Sequence, residues 1–328
     1  LKGGVTMQAR LVPVALFGML AVQSGCASRL DFDSVSAGHD AGGDLGGMHD
    51  AGSTLEDGGA GEVASPASDA GPDGATFSCA NIRPMPDFCA DFESNDALSE
   101  WGPVIVEPEA PQPAGSIDLD DRAARTGHGS LLAVVNPAVS VCADCDFSVC
   151  VQEFFYELQG HRQLSIEFDM RVEQIDSHAG RRSMLFQFSF GTPERGFSQH
   201  TLQLQSSGET VEAAFIEYDT DEQVAGSDSA PSVIAFNHDW QPGPRLQDWV
   251  HVQYLLDAVD SDGSGNTLRL SVGDVVLIDG LLHFGLRYRE PIFELGIPYV
   301  DTADFSDRET NESWQVRYDN VLVRSEPR

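Results

Sequence analysis

From residue 79 onward the chain alternates hydrophobic and polar positions. In Leu164-Ser165-Ile166-Glu167-Phe168-Asp169-Met170-Arg171-Val172-Glu173 every even position is apolar and every odd one polar, as in a strand with one buried face. Residues 184–190 set Phe186, Phe188 and Phe190 against Gln187 and Ser189. The same period marks 201–205, 211–218, 249–256, 267–272, 275–278 and 314–323. Turn residues separate these runs: Gly191-Thr192-Pro193, Ser207-Gly208, the stretch Asp260 to Asn266, and Gly273-Asp274. No stretch longer than a turn or two keeps a helical period. No Gly-rich loop leads from a strand into a helix, which argues against a nucleotide- or dinucleotide-binding domain. The pattern predicts an all-β domain over residues 79–328, an antiparallel two-sheet jelly-roll sandwich.

The first 78 residues read differently. Arg10 followed by the apolar run Leu11 to Val22 has the form of a secretory signal, with Met7 as an alternative start. The small residues Ser24 and Gly25 before Cys26 resemble a bacterial lipobox. That resemblance implies a signal over 1–26, a lipidated Cys26, and, with Ala27 next, sorting to the outer membrane. Residues 27–78 hold eleven Gly and ten Asp/Glu against a single Arg29. So little apolar surface cannot offset the entropy of ordering, and a disordered tether is expected.

Charge narrows the partners. The chain has 19 Lys+Arg against 52 Asp+Glu, a net charge of -33. Nucleic acid and anionic membrane surfaces need cations that this chain does not offer. Contact with a membrane is expected only through the N-terminal lipid.

Three short motifs carry a family resemblance. The domain opens with Phe88-Cys89-Ala90-Asp91-Phe92-Glu93 and Trp101, continues with Thr126-Gly127-His128-Gly129-Ser130-Leu131, and closes with Asp319-Asn320-Val321. This arrangement resembles jelly rolls of the concanavalin A-like lectin/glucanase type and related carbohydrate-binding modules. The resemblance implies a structural Ca²⁺ held by Asp91, Glu93 and Asp319, because a hard cation gathers carboxylate oxygens. The Asp260 to Asn266 loop is not an EF-type site, since Ser271 stands where that loop needs an acid.

Catalytic signals are sparse. Glu167-Phe168-Asp169 resembles the start of a glucanase signature, yet Arg171 takes the next same-face position and Glu173 comes after it. Glu167 and Glu173 would stand roughly 20 Å apart at ~3.3 Å per residue. Glycosidases need carboxyls within about 5–9.5 Å. Glu217 or His251 from a neighbouring strand would be the partner that completes a pair. A lyase needs a cation and a Tyr or His base, for which Arg171, His251, Tyr254, Arg287 and Tyr288 supply the residue types. No G-x-S-x-G elbow and no H-E-x-x-H pair occurs.

A sugar groove lined by polar strand faces is expected from Glu167, Asp169, Arg171, Gln187, Gln203, Gln205, His251 and Gln253. Hydroxyls want paired donors and acceptors, and amides provide both. The function expected is non-catalytic binding of an extracellular polysaccharide or glycan. A hydrolase or lyase of the same fold and a protein-binding adhesin are the alternatives. The cysteines read as disulfide partners after a secretion signal. Cys79 is expected to pair with Cys89, with one further bridge among Cys142, Cys145 and Cys150.

Overall fold

The computed structural model describes residues 77–94, 96–107, 115–136, 147–154, 161–175, 182–192, 196–207, 210–220, 233–257, 265–284, 291–300 and 313–327. In chain order the strands are β1 (Phe88–Ala90), β2 (Val104–Glu107), β3 (Gly115–Asp120), β4 (Ser130–Val135), β5 (Phe147–Phe154), β6 (His161–Gln174), β7 (Arg182–Thr192) and β8 (Gly196–Ser207). They continue with β9 (Thr210–Thr220), β10 (Val233–Asn237), β11 (Gln241–Pro242), β12 (Trp249–Asp257), β13 (Thr267–Val272), β14 (Val275–Leu281), β15 (Pro291–Val300) and β16 (Trp314–Pro327). Short 3-10 turns at Cys79–Asn81 and Ala97–Glu100 are the helical elements among the described residues.

Two antiparallel sheets form a jelly-roll sandwich. The first runs β14-β13-β12-β6-β16-β4-β3, with β1 also on β16; the second runs β10-β9-β8-β7-β15-β5-β2, with β11 on β9. Each run of alternating residues seen in the sequence lies on one of these strands. The ladder β12-β13-β14 is the antiparallel meander that Gly273-Asp274 and the loop before β13 suggest.

The even residues of β6 turn inward. Ile166, Phe168, Met170 and Val172 are completely buried. Phe168 meets Phe186 from the other sheet at 5.8 Å and Tyr318 at 5.9 Å, while Phe186 lies 5.5 Å from Tyr254 and 5.4 Å from Phe293. Each such side chain contributes about 1.5–3 kcal/mol on burial. The interlocking of rings from both sheets holds the layers together.

The closing strand β16 carries one irregularity. Tyr318 and Val321 both face the core, although three residues apart on one strand. A register shift between Asp319 and Leu322 accommodates them, with Asn320 at φ 54. Asn tolerates that left-handed geometry better than most residues, which accounts for the Asp-Asn-Val sequence at this point.

Candidate functional site

The structure divides the expected sugar-binding residues between opposite faces of the molecule. Glu167, Asp169, Arg171, His251 and Gln253 alternate with inward-facing residues of β6 and β12 and lie on the outer face of the first sheet. Gln187, Gln203 and Gln205 alternate with core residues of β7 and β8 and lie on the outer face of the second. One groove cannot contain both sets, because the core lies between them. Alternation shows that a residue faces out, but not which of two sheets it faces out from.

On the first sheet the charges are matched in pairs. His251 Nδ1 lies 3.2 Å from Asp169 Oδ1, and its Nε2 lies 3.8 Å from Glu167 Oε2. The Asp169 hydrogen bond, opposed by burial, leaves the His251 pKa raised. Asn320 Nδ2 donates to Asp169 Oδ2 at 2.7 Å. Glu173 accepts from Arg317 Nε at 2.6 Å and stands 3.3 Å from Arg171 Nε. Arg317 also reaches Asp120 at 2.9 Å. This is a network of ion pairs. Of the two residues expected to partner Glu167, His251 stands beside it on β12, whereas Glu217 points between the sheets; Tyr254 is a core residue. Arg287 and Tyr288 lie outside the described residues.

The acidic residues expected to hold calcium are brought to backbone donors. Asp91 Oδ2 accepts from the Cys79 amide at 3.1 Å, and its Oδ1 accepts from the Glu93 amide at 3.4 Å. Glu93 accepts from the amides of His128 at 2.8 Å and Gly129 at 3.2 Å. Asp319 accepts from the amides of Arg125 at 2.8 Å, Thr126 at 3.1 Å and Asn320 at 2.8 Å. Thr126 Oγ1 donates to Asn320 Oδ1 at 2.8 Å. The three sequence motifs thus meet around the loop between β3 and β4. Its glycine at 127 is required: φ is +68, and a Cβ there would lie 2.0 Å from Glu93 Oε1. Among the described residues no three His, Cys, Asp or Glu side chains converge as a metal site requires. Each of the three carboxylates is directed at backbone donors. Burial pushes the Asp319 pKa up to about 7 against its three N–H donors, with the Asp169 charge adding to the rise.

The outer face of the second sheet is of another kind. Gln152, Glu294, Gln187 and Thr201 stand side by side across β5, β15, β7 and β8. They point away from the hydrophobic core, yet none is more than 3% exposed. Gln152 Nε2 donates to Glu294 Oε1, and Gln187 Nε2 donates to Ser189 Oγ at 3.1 Å. Glu294 Oε2 and Gln187 Oε1 are buried with no hydrogen-bond partner. Burial pushes the Glu294 pKa well up, with the Gln152 bond opposing it. Next to this row, Gln203 Nε2 donates to Tyr218 Oη at 2.9 Å. Buried polar groups outside a core, some of them unsatisfied, are where an unassigned ligand is to be sought. Sequence reasoning named Gln187, Gln203 and Gln205 on this face and missed Gln152, Thr201, Tyr218 and Glu294. The available signal was Phe293-Glu294-Leu295, an acid between two core residues, in a segment whose alternation ends at Gly296.

A third cluster lies between the sheets at one edge of the sandwich. Glu217 is fully buried and accepts from His238 Nε2 at 2.8 Å and from the amides of His283 at 2.9 Å and Phe284 at 3.0 Å. Burial opposes ionisation of Glu217, but these donors prevail and its pKa is lowered. His200, opposite Glu217 on β8, bonds Tyr254 Oη at 2.6 Å. Burial pushes the His200 pKa down to about 4.

Cys79 and Cys89 form the expected disulfide, with Cα atoms 5.7 Å apart. Cys150 is also disulfide-bonded. Cys26, Cys142 and Cys145 lie outside the described residues.

Comparison with solved structures finds polysaccharide lyases. An endo-β-1,4-glucuronan lyase from the fungus Trichoderma reesei matches 73% of this chain and 94% of its own, with 12% identity and a TM-score of 0.47. The marine PL-14 alginate lyase from Aplysia kurodai matches 73% and 99%, with 10% identity and a TM-score of 0.46. Alginate lyase Aly36B matches 72% and 96%, with 10% identity and a TM-score of 0.45. No family model and no curated protein matches the sequence.

Proposed function

We propose that the protein recognises an extracellular polysaccharide on the outer face of the second sheet. The supporting observation is the row Gln152, Glu294, Gln187 and Thr201, in which amides, a hydroxyl and a carboxyl stand in register across four strands. A sugar presents hydroxyls that donate and accept, and this row offers both functions without a fixed cation. The unpaired Gln187 oxygen is an acceptor and the unpaired oxygen of a neutral Glu294 carries a donor, the two functions that a sugar hydroxyl meets. Binding of a panel of neutral and uronic polysaccharides tests this reading. Gln187→Ala is expected to lower affinity for the polysaccharide bound by the wild type at least tenfold; undiminished binding would refute it.

A second reading, cleavage by elimination, draws on the same face. Glu294 and Glu212 both project from it, but three strands and four residues separate them. That is about 20 Å at ~4.8 Å per strand and ~3.3 Å per residue, too far for paired-carboxyl hydrolysis. A neutral Glu294 flanked by amides can instead hydrogen-bond a uronate carboxylate. A base would take the C5 proton as C4=C5 forms and the C4–O bond breaks, the leaving oxygen acquiring a proton. Among the described residues, Tyr218 is a side chain on this face suited to move a proton. Unsaturated sugar ends in the digest would establish elimination, and intact polymer would leave recognition alone.

Placement at the outer membrane through a lipid on Cys26, with residues 27–78 as the tether, completes the proposal. Metabolic labelling with a palmitate analogue that persists in Cys26→Ala would exclude the anchor.

A further inference from the structure

The edge where β10 approaches the turn after β14 has features that a purely structural contact does not need. The Phe236 and His283 rings stack at 4.1 Å with an interplanar angle of 7°. They come from opposite sheets, and both remain exposed to solvent. Ile234 on the same side of β10 and Leu281 at the end of β14 are 52% and 68% exposed, so the apolar strip extends beyond the stacked pair. His238 stands edge-on to Phe236 at 5.0 Å.

His238 is oriented from behind. Its Nε2 points at the Glu217 carboxylate, which only accepts. The proton of neutral His238 therefore sits on Nε2, and Nδ1 presents a lone pair. Among the described residues no protein group bonds Nδ1, and that atom is not among the buried unsatisfied ones. Two backbone amides already bond the Glu217 carboxylate. The bond to His238 adds a fixed ring direction and a fixed tautomer.

We infer that Phe236, His283 and His238 form a second sugar-binding site at this edge, for a neutral pyranose unit. A flat aromatic surface stacks on the C–H face of a pyranose, and one directed acceptor fixes a hydroxyl. Charge selects against a uronate: Glu217 lies directly behind His238, Asp219 is on the same strand as Glu217, Asp239 follows His238, and the whole chain carries -33. The site is separate from the amide row, because Phe236 pairs with the inward-facing Glu217 and not with the outer face of β9.

Imidazole NMR signals of the intact protein test the site, with cellohexaose as the neutral probe and a hexuronate of equal length as the charged one. Cellohexaose is expected to shift the His238 and His283 signals saturably, and the hexuronate to leave them in place. Phe236→Ala should weaken the cellohexaose shift about tenfold, Phe236→Trp should preserve it, and Gln187→Ala on the other face should have no effect. No shift with cellohexaose, equal shifts with both probes, or an unweakened response in Phe236→Ala would each overturn the assignment. Because Gln187→Ala reports separately on the outer face, failure at one site is distinguishable from failure at the other.

Discussion

Glu294 on β15 lies directly opposite Gln187 on β7, and each side chain has one buried oxygen with no donor. Two unpaired acceptors are unfavourable in a buried setting. A single proton on Glu294 converts one of them into a donor. Burial raises the Glu294 pKa and favours that neutral form.

Glu294→Gln should therefore be tolerated, because an amide supplies the donor permanently. Glu294 has a raised pKa, so its favourable contribution is complete below the ordinary carboxylate pKa and is lost as pH rises toward the folded value. The advantage of Glu294→Gln over wild type should accordingly grow with pH. Urea unfolding at pH 5, 7 and 9 measures it, and a gap that narrowed with pH would contradict a buried neutral acid.

Asp319 and His200 act in opposite directions with pH. Asp319 has an ordinary pKa of 3.8 and a folded value of about 7, so its contribution falls as pH rises through that window. His200 has an ordinary value of 6.5 and a folded value of about 4, so its contribution is present above 6.5 and is lost as pH falls toward 4. Each slope is on the order of 1.4 kcal/mol per pH unit, and the two nearly cancel where they overlap. Against wild type, Asp319→Asn should gain relative stability as pH rises from 4 to 7, and His200→Asn should lose it from 4 to 6.5. Parallel curves for wild type and either variant would show that the group is not perturbed as stated.

Arg317 serves Asp120, Glu173 and Ser130 from a buried position. Removing it with Arg317→Met leaves Asp120 and Glu173 to Arg122 and Arg171 alone, and a loss of about 1–3 kcal/mol is expected for the charged hydrogen bonds removed. Arg269, paired with Asp279 at 3.0 Å on the exposed side of β13, should cost about 0–1 kcal/mol on conversion to Ala. Denaturant midpoints compare the two, and similar losses would refute the distinction.

Calcium should have little effect on stability. Asp91, Glu93 and Asp319 already accept backbone N–H donors. The melting temperature in EGTA is expected to equal that in millimolar calcium. A difference of several degrees would contradict this expectation and point to a bound cation.

Much of the fold is readable in the sequence. The alternation in 164–173, 184–190 and 249–256 locates β6, β7 and β12, since a half-buried strand leaves a period of two. Shorter or irregular strands leave less: β15 is broken by Gly296 and a register shift, β10 opens with four apolar residues in a row, and β11 has two residues. The site was less legible. Gln187 and Gln203 are identifiable as outward amides, but Glu294 gains its character from Gln152, 142 residues away.

Hydrophobic periodicity alone determined that the chain folds as two pleated layers around a shared core, because burying one face of each strand leaves few other arrangements. It also determined that Glu167 and Asp169 share a face, while the sequence separation of 10 between Cys79 and Cys89 allows those two to pair. Only the tertiary structure decided that Glu167 and Gln187 lie on opposite sides of the molecule, that Glu217 turns inward to His238, and that Glu294 meets Gln187. Those outcomes depend on strand order and register between distant segments, which the periodicity of a single strand does not encode.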